Sequence, residues 1–416
     1  MKVWLVNPFD PLPGEQEQLG RYGHLALTLR DAGHDVVWWS SSFSHRFKRS
    51  VDAERVASAA SDQGIRIELV PTPPYARNVS LRRIRNHRVF ARRFRERAAG
   101  MVKPDIILAS SPPLESAYEV ARLGHEWDCP TVIDIQDQWP DNFLRVLPGA
   151  LRPVGRFLLK PFYALECNAY TLADAITGVA QGYVDRGLAV GGDKARQAVF
   201  PLGVSLADLR AAIEAGHDRY ADRWKKPEGE VRLLYSGSLS HNYDFLTLIR
   251  AAIATQKRYG SRVRFVLTGT GELADRATAI IREHTLDNVT MTGFLDFPEW
   301  AYVLSQTDVG FNASFPEALI YLPNKIFAYL AVGAAVLNTI PGECAELISR
   351  SGCGLNYTAG DVEGCFEAVC KLVESPDDLA RMHAASIRLA EERFDRPIIC
   401  AEFTRFLESV ATDRLT

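Results

Sequence analysis

The sequence predicts an α/β protein made of two successive doubly wound domains, each with a parallel sheet between layers of helices. Two observations carry this prediction. Short apolar runs alternate with helical patterns along the chain, and the alternation pauses once before it restarts. The length of 416 residues is long for one domain and comfortable for two.

The first half begins with a strand-like run at residues 3–6 and a helical pattern at 21–32 that Gly33 is well placed to end. Strands that alternate with helices predict right-handed crossovers and a parallel sheet. The other predicted elements of this half are strands at 36–39, 65–70, 106–109, 131–135 and 175–179, a helix from about 114, and a helix at 156–172.

The polar stretch 206–229, which ends in KKPEGE, is interpreted as a linker, and the alternation resumes after it. Predicted strands follow at 233–236, 263–267, 289–291, 309–312 and 335–338, with helices at 245–257 and 274–282 and after Pro323. Residues 377–410 are expected to be mostly helical. The expected domains are 1–205, 206–390, and a C-terminal helix at 391–416 that packs back on the first domain.

Composition bounds the function. A hydrophobic content of 47% and a charged content of 24% are ordinary for a globular protein, and a net charge of −3 argues against a general nucleic-acid binder. There is no uncharged apolar run long enough for a membrane span, and the start KVWLV does not resemble a signal peptide. Seven scattered cysteines without a CxxC pair predict reduced thiols, a cytoplasmic location and no zinc site.

The most informative segment is LIYLPNKIFAYLAVGAAVL, with Pro323, Asn324 and Lys325 at a predicted helix start. Proline suits the first helical position, and apolar residues then recur at helical spacing. The free N–H groups and the dipole of a helix start, with a lysine beside them, form a potential anion site. The alternative is an ordinary helix start that binds only water.

Loops that follow the strands of the second half are the expected ligand positions, because ligands bind beyond the carboxyl ends of parallel strands. They read SGSLSHN, TGTGE and TGFLD, and glycine follows each strand, where backbone can approach a ligand. Tight βα turns are the alternative. Together with the helix start at Pro323, the loops favour a nucleotide diphosphate. GxGxxG and GxxxxGK[ST] motifs are absent, which argues against a dinucleotide dehydrogenase and a P-loop ATPase.

The order of these motifs resembles the C-terminal domain of bacterial family 4 glycosyltransferases. The motifs are LLYSGSLSHNYDFLTLIRAA, FVLTGTGE, NVTMTGFLDFPE, LPNKIFAYLAVGAAV, PGECAELI and GCGL. The opening NPFDPLPGEQEQLGRYGHLALTLRDAGHDVVWWSSSFSHRFKR resembles a polysaccharide or O-antigen branch of that group. The resemblance implies the GT-B fold, in which two Rossmann-like domains face each other across a cleft and a C-terminal helix returns to the first.

The resemblance also implies an activity. It is transfer of a hexosyl or N-acetylaminosugar group, with retention, from a nucleotide-diphosphate sugar to a polyprenyl-linked or other saccharide acceptor in surface glycan or lipopolysaccharide synthesis. No metal and no cofactor are expected. A UDP sugar is the expected donor and a dTDP sugar the alternative. The leaving phosphate would help to deprotonate the acceptor, so the protein must stabilise negative charge on the diphosphate.

The resemblance assigns donor-binding roles to Ser236, Gly237, Ser238, His241, Gly269, Gly271, Gly293, Phe294, Pro323, Asn324, Lys325 and Glu343. Two departures from the family pattern matter. Ser238 and Tyr243 stand where the family often has cations, and Ile320 and Ala328 stand where it has paired glutamates. Lys325 is therefore the expected principal cation and the first catalytic candidate. A missing ribose acid at Ala328 is the basis of the dTDP hypothesis. For Glu343 the alternatives are helix capping and simple solvent exposure.

Three groups of residues in the first domain are further candidates. The long loop 7–20 resembles the family loop over the diphosphate and acceptor, with Gly14, Gly20 and Arg21 as its candidates and an ordinary surface loop as the alternative. Gln136 and Asp137 follow a strand and match a family segment that reaches the donor sugar, although Asp137 also suits a helix cap. His45, with Lys48, is the remaining catalytic candidate, and a structural histidine is its alternative.

The segment from Arg77 to Arg97 holds nine arginines with apolar residues between them. Such a basic amphipathic segment predicts contact with the anionic inner face of the cytoplasmic membrane, and a solvated helix face is the alternative. Stacking platforms for nucleic acid are not evident. The rival functions are a nucleotide-sugar epimerase on the same fold and a non-catalytic nucleotide-sugar-binding scaffold.

Overall fold

The computed structural model describes residues 1–15, 18–145, 147–194 and 196–412. The chain divides into two compact units. Unit 1 consists of Met1–Leu202 and Arg396–Thr416, and unit 2 of Gly203–Asp395. The expected boundaries after residues 205 and 390 lie a few residues from these divisions. Each unit is described by itself.

Unit 1 is built around a parallel sheet, which in the described residues has the strand order β5-β2-β1-β6-β7-β8-β9. Its strands are β1 (Lys2–Val6), β2 (Asp35–Ser41), β5 (Arg66–Val70), β6 (Ile106–Ser111), β7 (Thr131–Ile135), β8 (Ala175–Gly178) and β9 (Arg196–Val199), and a small hairpin contains β3 (Phe43–Ser44) and β4 (Arg49–Ser50). The order reverses between β1 and β6, and ligands of such sheets bind at the carboxyl side of that point.

Helices cover the sheet of unit 1, and the last helix of the chain is one of them. The helices are α1 (Arg21–Asp31), α2 (Ala53–Asp62), α3 (Leu81–Ala98), α4 (Leu114–Trp127), α5 (Asp141–Leu144), α6 (Arg152–Leu158), α7 (Lys160–Leu172), α8 (Gln181–Gly191) and α17 (Arg396–Thr412). In α17 the ring of Phe403 stacks on Phe200, with ring centroids 4.2 Å apart, and Leu407 is fully buried in the same core. These apolar contacts hold the C-terminal helix to the first unit.

Unit 2 repeats the architecture, with the strand order β12-β11-β10-β13-β14-β15 and parallel pairing among the described residues. Its strands are β10 (Val231–Ser236), β11 (Val263–Thr268), β12 (Val289–Gly293), β13 (Val309–Asn312), β14 (Ala335–Asn338) and β15 (Gly354–Asn356). Its helices are α9 (Leu206–Trp224), α10 (Phe245–Tyr259), α11 (Ala274–Glu283), α12 (Phe297–Ser305), α13 (Asn324–Ala331), α14 (Glu343–Ser351), α15 (Val362–Glu374) and α16 (Pro376–Leu389). The prediction of two doubly wound parallel-sheet domains is confirmed.

The predicted linker at 206–229 is wrong, because most of it forms the 19-residue helix α9. One face of α9 is buried against α12: a Cβ on Gly216 would lie 2.1 Å from the carbonyl oxygen of Pro298, and Trp224 Nε1 donates to Glu299 Oε1 at 2.8 Å. The exposed face carries the charges that made the segment look like a linker.

The predicted helix at 156–172 is two helices, α6 and α7, that meet at Leu159. Pro161 lacks the N–H that a continuous helix would use, so a new helix begins around it. Edge strands β9 and β15 were not predicted, because they are short and only partly buried. Among the described residues, none of the helices combines the length and the apolar character that crossing a bilayer requires.

Candidate functional site

Three loops at the carboxyl edge of the unit 2 sheet are bonded into one layer. The N–H of Gly237 donates to Thr268 O at 3.0 Å, and the N–H of Leu239 donates to Thr270 O at 2.9 Å. Gly269 N–H in turn donates to Gly293 O at 2.8 Å. The loops that follow β10, β11 and β12 therefore form a continuous backbone surface.

Glycine occupies positions in this layer for two different structural reasons. A Cβ on Gly269 would lie 1.9 Å from Gly237 O, and one on Gly271 would lie 2.3 Å from Leu239 O. Packing of loop against loop thus accounts for these two glycines, whereas the sequence interpretation invoked the approach of a ligand. Gly293 differs, because it has φ +73° and open space where a Cβ would point.

Helix α13 starts at this edge, next to the loop after β10. Pro323 is the N-cap and Asn324 the first helical residue, so the prediction of proline at the first helical position is off by one residue. No side chain caps the helix. The first N–H groups of a helix have no intrahelical acceptor, and Asn324 is exposed. These groups are available to an anion.

Lys325, the second residue of α13, directs its ammonium group inward rather than to solvent. Its Nζ lies 4.2 Å from the ring centroid of Tyr235 and 4.4 Å from that of Tyr243. The residue keeps partial exposure, but Nζ itself is buried and has no hydrogen-bond partner among the described residues. A Cβ on Gly237, which has φ +148°, would lie 3.1 Å from Nζ, so a larger residue here would crowd the ammonium group.

Burial lowers the pKa of Lys325 to about 7. The two tyrosine rings attract a cation through their faces, but they do not replace the hydrogen bonds that an ammonium group makes in water. A desolvated amine without a carboxylate partner is stabilised in its charged form when an anion enters. The arrangement therefore forms a cation site that lacks its counter-charge.

Hydrogen bonds fix the loop after β10 relative to α13. Tyr235 Oη donates to Ser238 O at 2.7 Å, and Ser236 N–H donates to Tyr329 Oη at 3.0 Å. Trp300 Nε1 donates to Ser236 Oγ at 2.8 Å. The hydroxyl of Ser236 already has this partner, so the loop is held in place before any ligand binds.

The other proposed donor residues of unit 2 have different environments. Ser238 and His241 are exposed, and His241 lies beside Glu272. Phe294 is 80% exposed next to Gly293. Glu343 is the first residue of α14, after Gly342 with φ +69°.

Ala328 is buried on α13, so the position of the absent family glutamate faces the protein interior. Asp244, a buried acid near the same edge, is a structural residue: its carboxylate accepts hydrogen bonds from Thr247 Oγ1 and from Gly360 N. In the described part of the chain, no three His, Cys, Asp or Glu side chains are grouped in a way that could hold a metal ion.

In unit 1, Arg21 is a buried structural residue, although the sequence made it a candidate for the ligand loop. Its guanidinium forms a two-pronged ion pair with Asp134, at 3.2 and 3.1 Å, and donates to the carbonyl oxygens of Phe200 and Pro201. Gln136 Nε2 also donates to Asp134, at 2.9 Å. These contacts tie the ends of strands and loops together, so buried Arg21 organises this edge, and half-buried Gln136 shares its acceptor Asp134.

The glycines of the first loop likewise have packing partners. A Cβ on Gly20 would lie 2.8 Å from the carboxylate of Asp10, which accepts the N–H of Tyr22 at 2.7 Å at the start of α1. A Cβ on Gly14, which has φ +82°, would lie 3.2 Å from Arg55 O of α2. Asp137 accepts hydrogen bonds from Gln138 N and Asn142 Nδ2 but does not cap α5, whose N-cap is Pro140, and burial raises its pKa.

His45 belongs to a polar and aromatic cluster. Its Nδ1 is hydrogen-bonded to the hydroxyl of Tyr75, and Lys48 Nζ lies 3.3 Å from the same nitrogen. Burial, followed by the charges of Arg83 and Lys48, lowers the pKa of His45 to about 3. The imidazole is therefore neutral near pH 7. It is a weak base held by a phenol, which makes a catalytic role for His45 less favourable than the sequence implied.

Sequence reasoning missed the side chains that define both clusters. Tyr235 is a strand residue without a distinguishing pattern, and Tyr243 was noted only as a replacement for a cation. Arg83 was one of nine arginines, and nothing in the spacing separated it from the others. A lysine at a helix start beside aromatic residues in the neighbouring strand and loop is a weak signal that could have indicated the tyrosine pair.

Two parallel-sheet Rossmann-like domains in one chain are the architecture of the GT-B class of fold. Residues 20–203 match the family model for a glycosyl transferase 4-like domain, and residues 230–375 match the model for glycosyl transferases group 1. The first half of the chain therefore contains a glycosyl transferase 4-like domain, and the second half contains a glycosyl transferases group 1 domain. No curated protein matches the chain.

Solved structures share the fold over the full length at low identity. HepE of Anabaena in complex with UDP has a TM-score of 0.69 at 15% identity and covers 98% of this chain and 100% of its own. Sucrose-phosphate synthase from Thermosynechococcus elongatus has a TM-score of 0.71 at 15% identity, and the match covers 99% of both chains. WaaG, a glycosyltransferase involved in lipopolysaccharide biosynthesis, has a TM-score of 0.64 at 12% identity, and the match covers 97% of this chain and 99% of WaaG.

Proposed function

We propose that the protein transfers a sugar, with retention, from a nucleotide-diphosphate sugar to a lipid-linked saccharide, and that the donor diphosphate binds at Lys325. One observation carries this proposal: the buried ammonium of Lys325 has no counter-charge and stands at the open start of helix α13. An anion bound at this point would interact with both the positive charge of Lys325 and the free N–H groups of the helix start.

The reaction would use these groups on the leaving side. As the bond to the anomeric carbon breaks, negative charge grows on the diphosphate, and a fixed cation stabilises that charge without reorganising. The hydrogen bonds of the loop after β10 keep Gly237 and Ser238 in place beside the amine. No metal is needed for this charge stabilisation, so we propose a metal-independent reaction in which the leaving phosphate takes the acceptor proton.

Gly293 and Phe294 are proposed to lie against the base. Gly293 offers open backbone, and the exposed ring of Phe294 offers an apolar face beside it. UDP is the first nucleotide to test, because HepE has been solved with UDP and with UDP-glucose. dTDP is the second, because no acid stands at Ala328 to hold the ribose hydroxyls.

A thermal-shift screen of the full chain against UDP, dTDP and a panel of their sugars tests donor binding, since a ligand that binds the native state raises the melting temperature. We expect a diphosphate nucleotide to raise it and uridine alone to have little effect. Equal shifts with uridine and UDP would contradict a site built around the diphosphate.

Products separate the proposed reaction from its rivals. Incubation of a binding donor with a polyprenyl-linked saccharide should give a lengthened acceptor and free nucleoside diphosphate. Conversion of the donor into its epimer, without release of nucleotide, would instead indicate an epimerase. Binding without turnover, over a range of acceptors, would indicate a scaffold.

The affinity for the donor should depend on pH. Lys325 has a pKa of about 7 in the free protein, and a bound diphosphate favours its charged form, so binding takes up a proton as pH rises above 7. We expect the affinity for a UDP sugar, whose diphosphate does not titrate in this range, to fall roughly tenfold or more from pH 6.5 to 8.5. Calorimetry in two buffers of different ionisation enthalpy checks both the affinity and the proton uptake. A flat profile would contradict the role of Lys325.

The basic segment between Arg77 and Arg97 has two kinds of arginine in the structure. Arg93, Arg95 and Arg97 bind carbonyls or carboxylates of unit 1. Arg85 and Arg88 are exposed on α3 and have no ion pair in the described part of the chain. Only the second kind is available to a membrane.

Apolar side chains of unit 1 are exposed as well, at the start of the same helix and in α6. Leu81 is 84% exposed at the start of α3, and in α6 Phe157 and Leu158 are 64% and 69% exposed. Helix α3 and Phe162 of α7 line a cavity of about 430 Å³ with a basic rim. Exposed apolar residues among unpaired arginines match the chemistry of an anionic bilayer, and we propose that this face of unit 1 docks on one.

Flotation with vesicles tests the docking face. We expect binding to vesicles that contain phosphatidylglycerol and little binding to phosphatidylcholine alone. The double change Phe157→Ser and Leu158→Ser should weaken partition into the bilayer roughly tenfold or more, because it removes two apolar side chains that enter the bilayer on docking. Val102→Ser is the matched control, since Val102 is also exposed in unit 1. Equal flotation of the double variant and the wild type would refute this face.

A further inference from the structure

Two cationic side chains of unit 1 donate hydrogen bonds to the same residue, Asn78. Lys48 Nζ donates to its side-chain Oδ1 at 2.7 Å, and Arg83 Nη1 donates to its backbone oxygen at 2.9 Å. Lys48 comes from the hairpin of β3 and β4, and Arg83 comes from α3. Two separate elements thus bring an ammonium and a guanidinium to the same point.

Neither cation forms an ion pair with a carboxylate in the described part of the chain. The acids that interact with Arg83 at longer range are Asp137 and Glu115. Asp137 accepts hydrogen bonds from Gln138 N and Asn142 Nδ2, and Glu115 lies 3.7 Å from His87. Carboxylates therefore act on Arg83 only at longer range, and no direct ion pair with an acid occupies either cation in the described residues.

Aromatic rings wall the two cations and hold them in position. The guanidinium of Arg83 lies 4.7 Å from the ring centroid of Trp139 and 5.3 Å from that of Phe9, and Lys48 Nζ lies 4.7 Å from that of Tyr75. Arg83 Nε also donates to His87 Nε2 at 3.3 Å. The walls exclude water on these sides, which strengthens the field of the cations.

The two charges affect each other. Burial and the neighbouring charge of Arg83 lower the pKa of Lys48 to about 8. Like charges at such close range are costly unless an anion lies between them. Two such cations, one of them with a planar fork of donors, suit an anion with several oxygens better than a single carboxylate.

We propose that Lys48 and Arg83 form a phosphoryl-binding subsite in unit 1. The assignment of the phosphoryl group to the acceptor rests on the proposed transfer reaction, in which a lipid-linked saccharide carries phosphate next to its sugar. The subsite itself is a property of unit 1 and does not depend on Lys325. It adds to the reaction a cation pair that positions the acceptor.

Calorimetric titration of inorganic pyrophosphate into the full chain tests the subsite, and the Lys325→Met variant is the background that removes the amine of unit 2. We expect this background to bind pyrophosphate and a further Lys48→Gln change to weaken binding at least tenfold. Arg83→Gln should weaken it by a similar factor. Lys103→Gln is the control, since Lys103 also lies over an aromatic ring of unit 1 but at the amino end of β6. Melting curves establish that each variant is folded.

No pyrophosphate binding by the Lys325→Met background, or a change of less than twofold in both Lys48→Gln and Arg83→Gln, would overturn the proposal. Failure of the donor hypothesis is a different result, namely no effect of UDP on the wild type. A flotation arm identifies the source of the phosphoryl group. If Lys48→Gln loses pyrophosphate but still floats with anionic vesicles, the subsite serves the acceptor. If Lys48→Gln loses both pyrophosphate binding and flotation with anionic vesicles, the subsite binds bilayer headgroups.

Discussion

Lys325→Met should abolish detectable donor binding and lower the transfer rate by about 10²–10³, the usual cost of losing one preorganised charge-stabilising group. The same change should leave the fold intact or raise its free energy of unfolding by about 1–3 kcal/mol, because it removes a buried amine without a hydrogen-bond partner. Methionine matches the length of the side chain and packs well against the two tyrosine rings. Turnover assays and urea unfolding measure the two effects.

The pH dependence of stability gives an internal check. Between pH 7 and the ordinary pKa of 10.5, the unfolded chain holds a proton on Lys325 that the native chain releases, so wild-type stability should rise with pH in this window. The Lys325→Met variant lacks this pH dependence, so its free energy of unfolding should exceed that of the wild type by the largest amount below pH 7. Lys257→Met, an exposed lysine in the last turn of α10, is the matched control and should change neither property. Loss of stability together with activity would mean that Lys325 is structural.

Arg21→Ala should be the most destabilising single change in unit 1, with a loss of about 3–5 kcal/mol. It leaves Asp134 as a buried charge without its partner and removes the donors to two backbone carbonyls. Urea unfolding followed by tryptophan fluorescence reports mainly on this unit, since five of the seven tryptophans lie in it.

The control for this change is Arg30→Ala in the same helix. Arg30 is partly exposed, pairs with Asp31 and donates to the carbonyl oxygen of Gln63, and such an exposed ion pair contributes about 0–1 kcal/mol. A loss of less than about 1 kcal/mol on Arg21→Ala would contradict the structural role and return Arg21 to the list of ligand-loop candidates.

Much of the fold could be predicted because alternation of apolar runs with helical periods is a local property of the chain. The strands around 106–109, 131–135 and 263–267 are short, largely apolar runs of the kind that buried parallel strands show, although Asp134 and Arg264 interrupt two of them. Helix α9 could not be predicted in the same way, because its few buried residues depend on the position of α12. Tertiary packing, not local sequence, decides such a helix.

The site was predictable only in part, for the same reason. Lys325 stands next to a helix start that the sequence marks with proline, so its importance could be inferred. That its amine lies between Tyr235 and Tyr243 depends on the distance between a strand end and a loop. Arg21 shows the opposite error: a polar residue at the end of a glycine-containing loop looked available, and its partner Asp134 is 113 residues away.

A structure of the full chain crystallised with UDP tests the central claim most directly. We predict that an oxygen of the diphosphate lies about 3 Å from Lys325 Nζ and within hydrogen-bond distance of the first N–H groups of helix α13. A diphosphate bound elsewhere, with the amine still enclosed by the two tyrosine rings and without a partner, would contradict the claim.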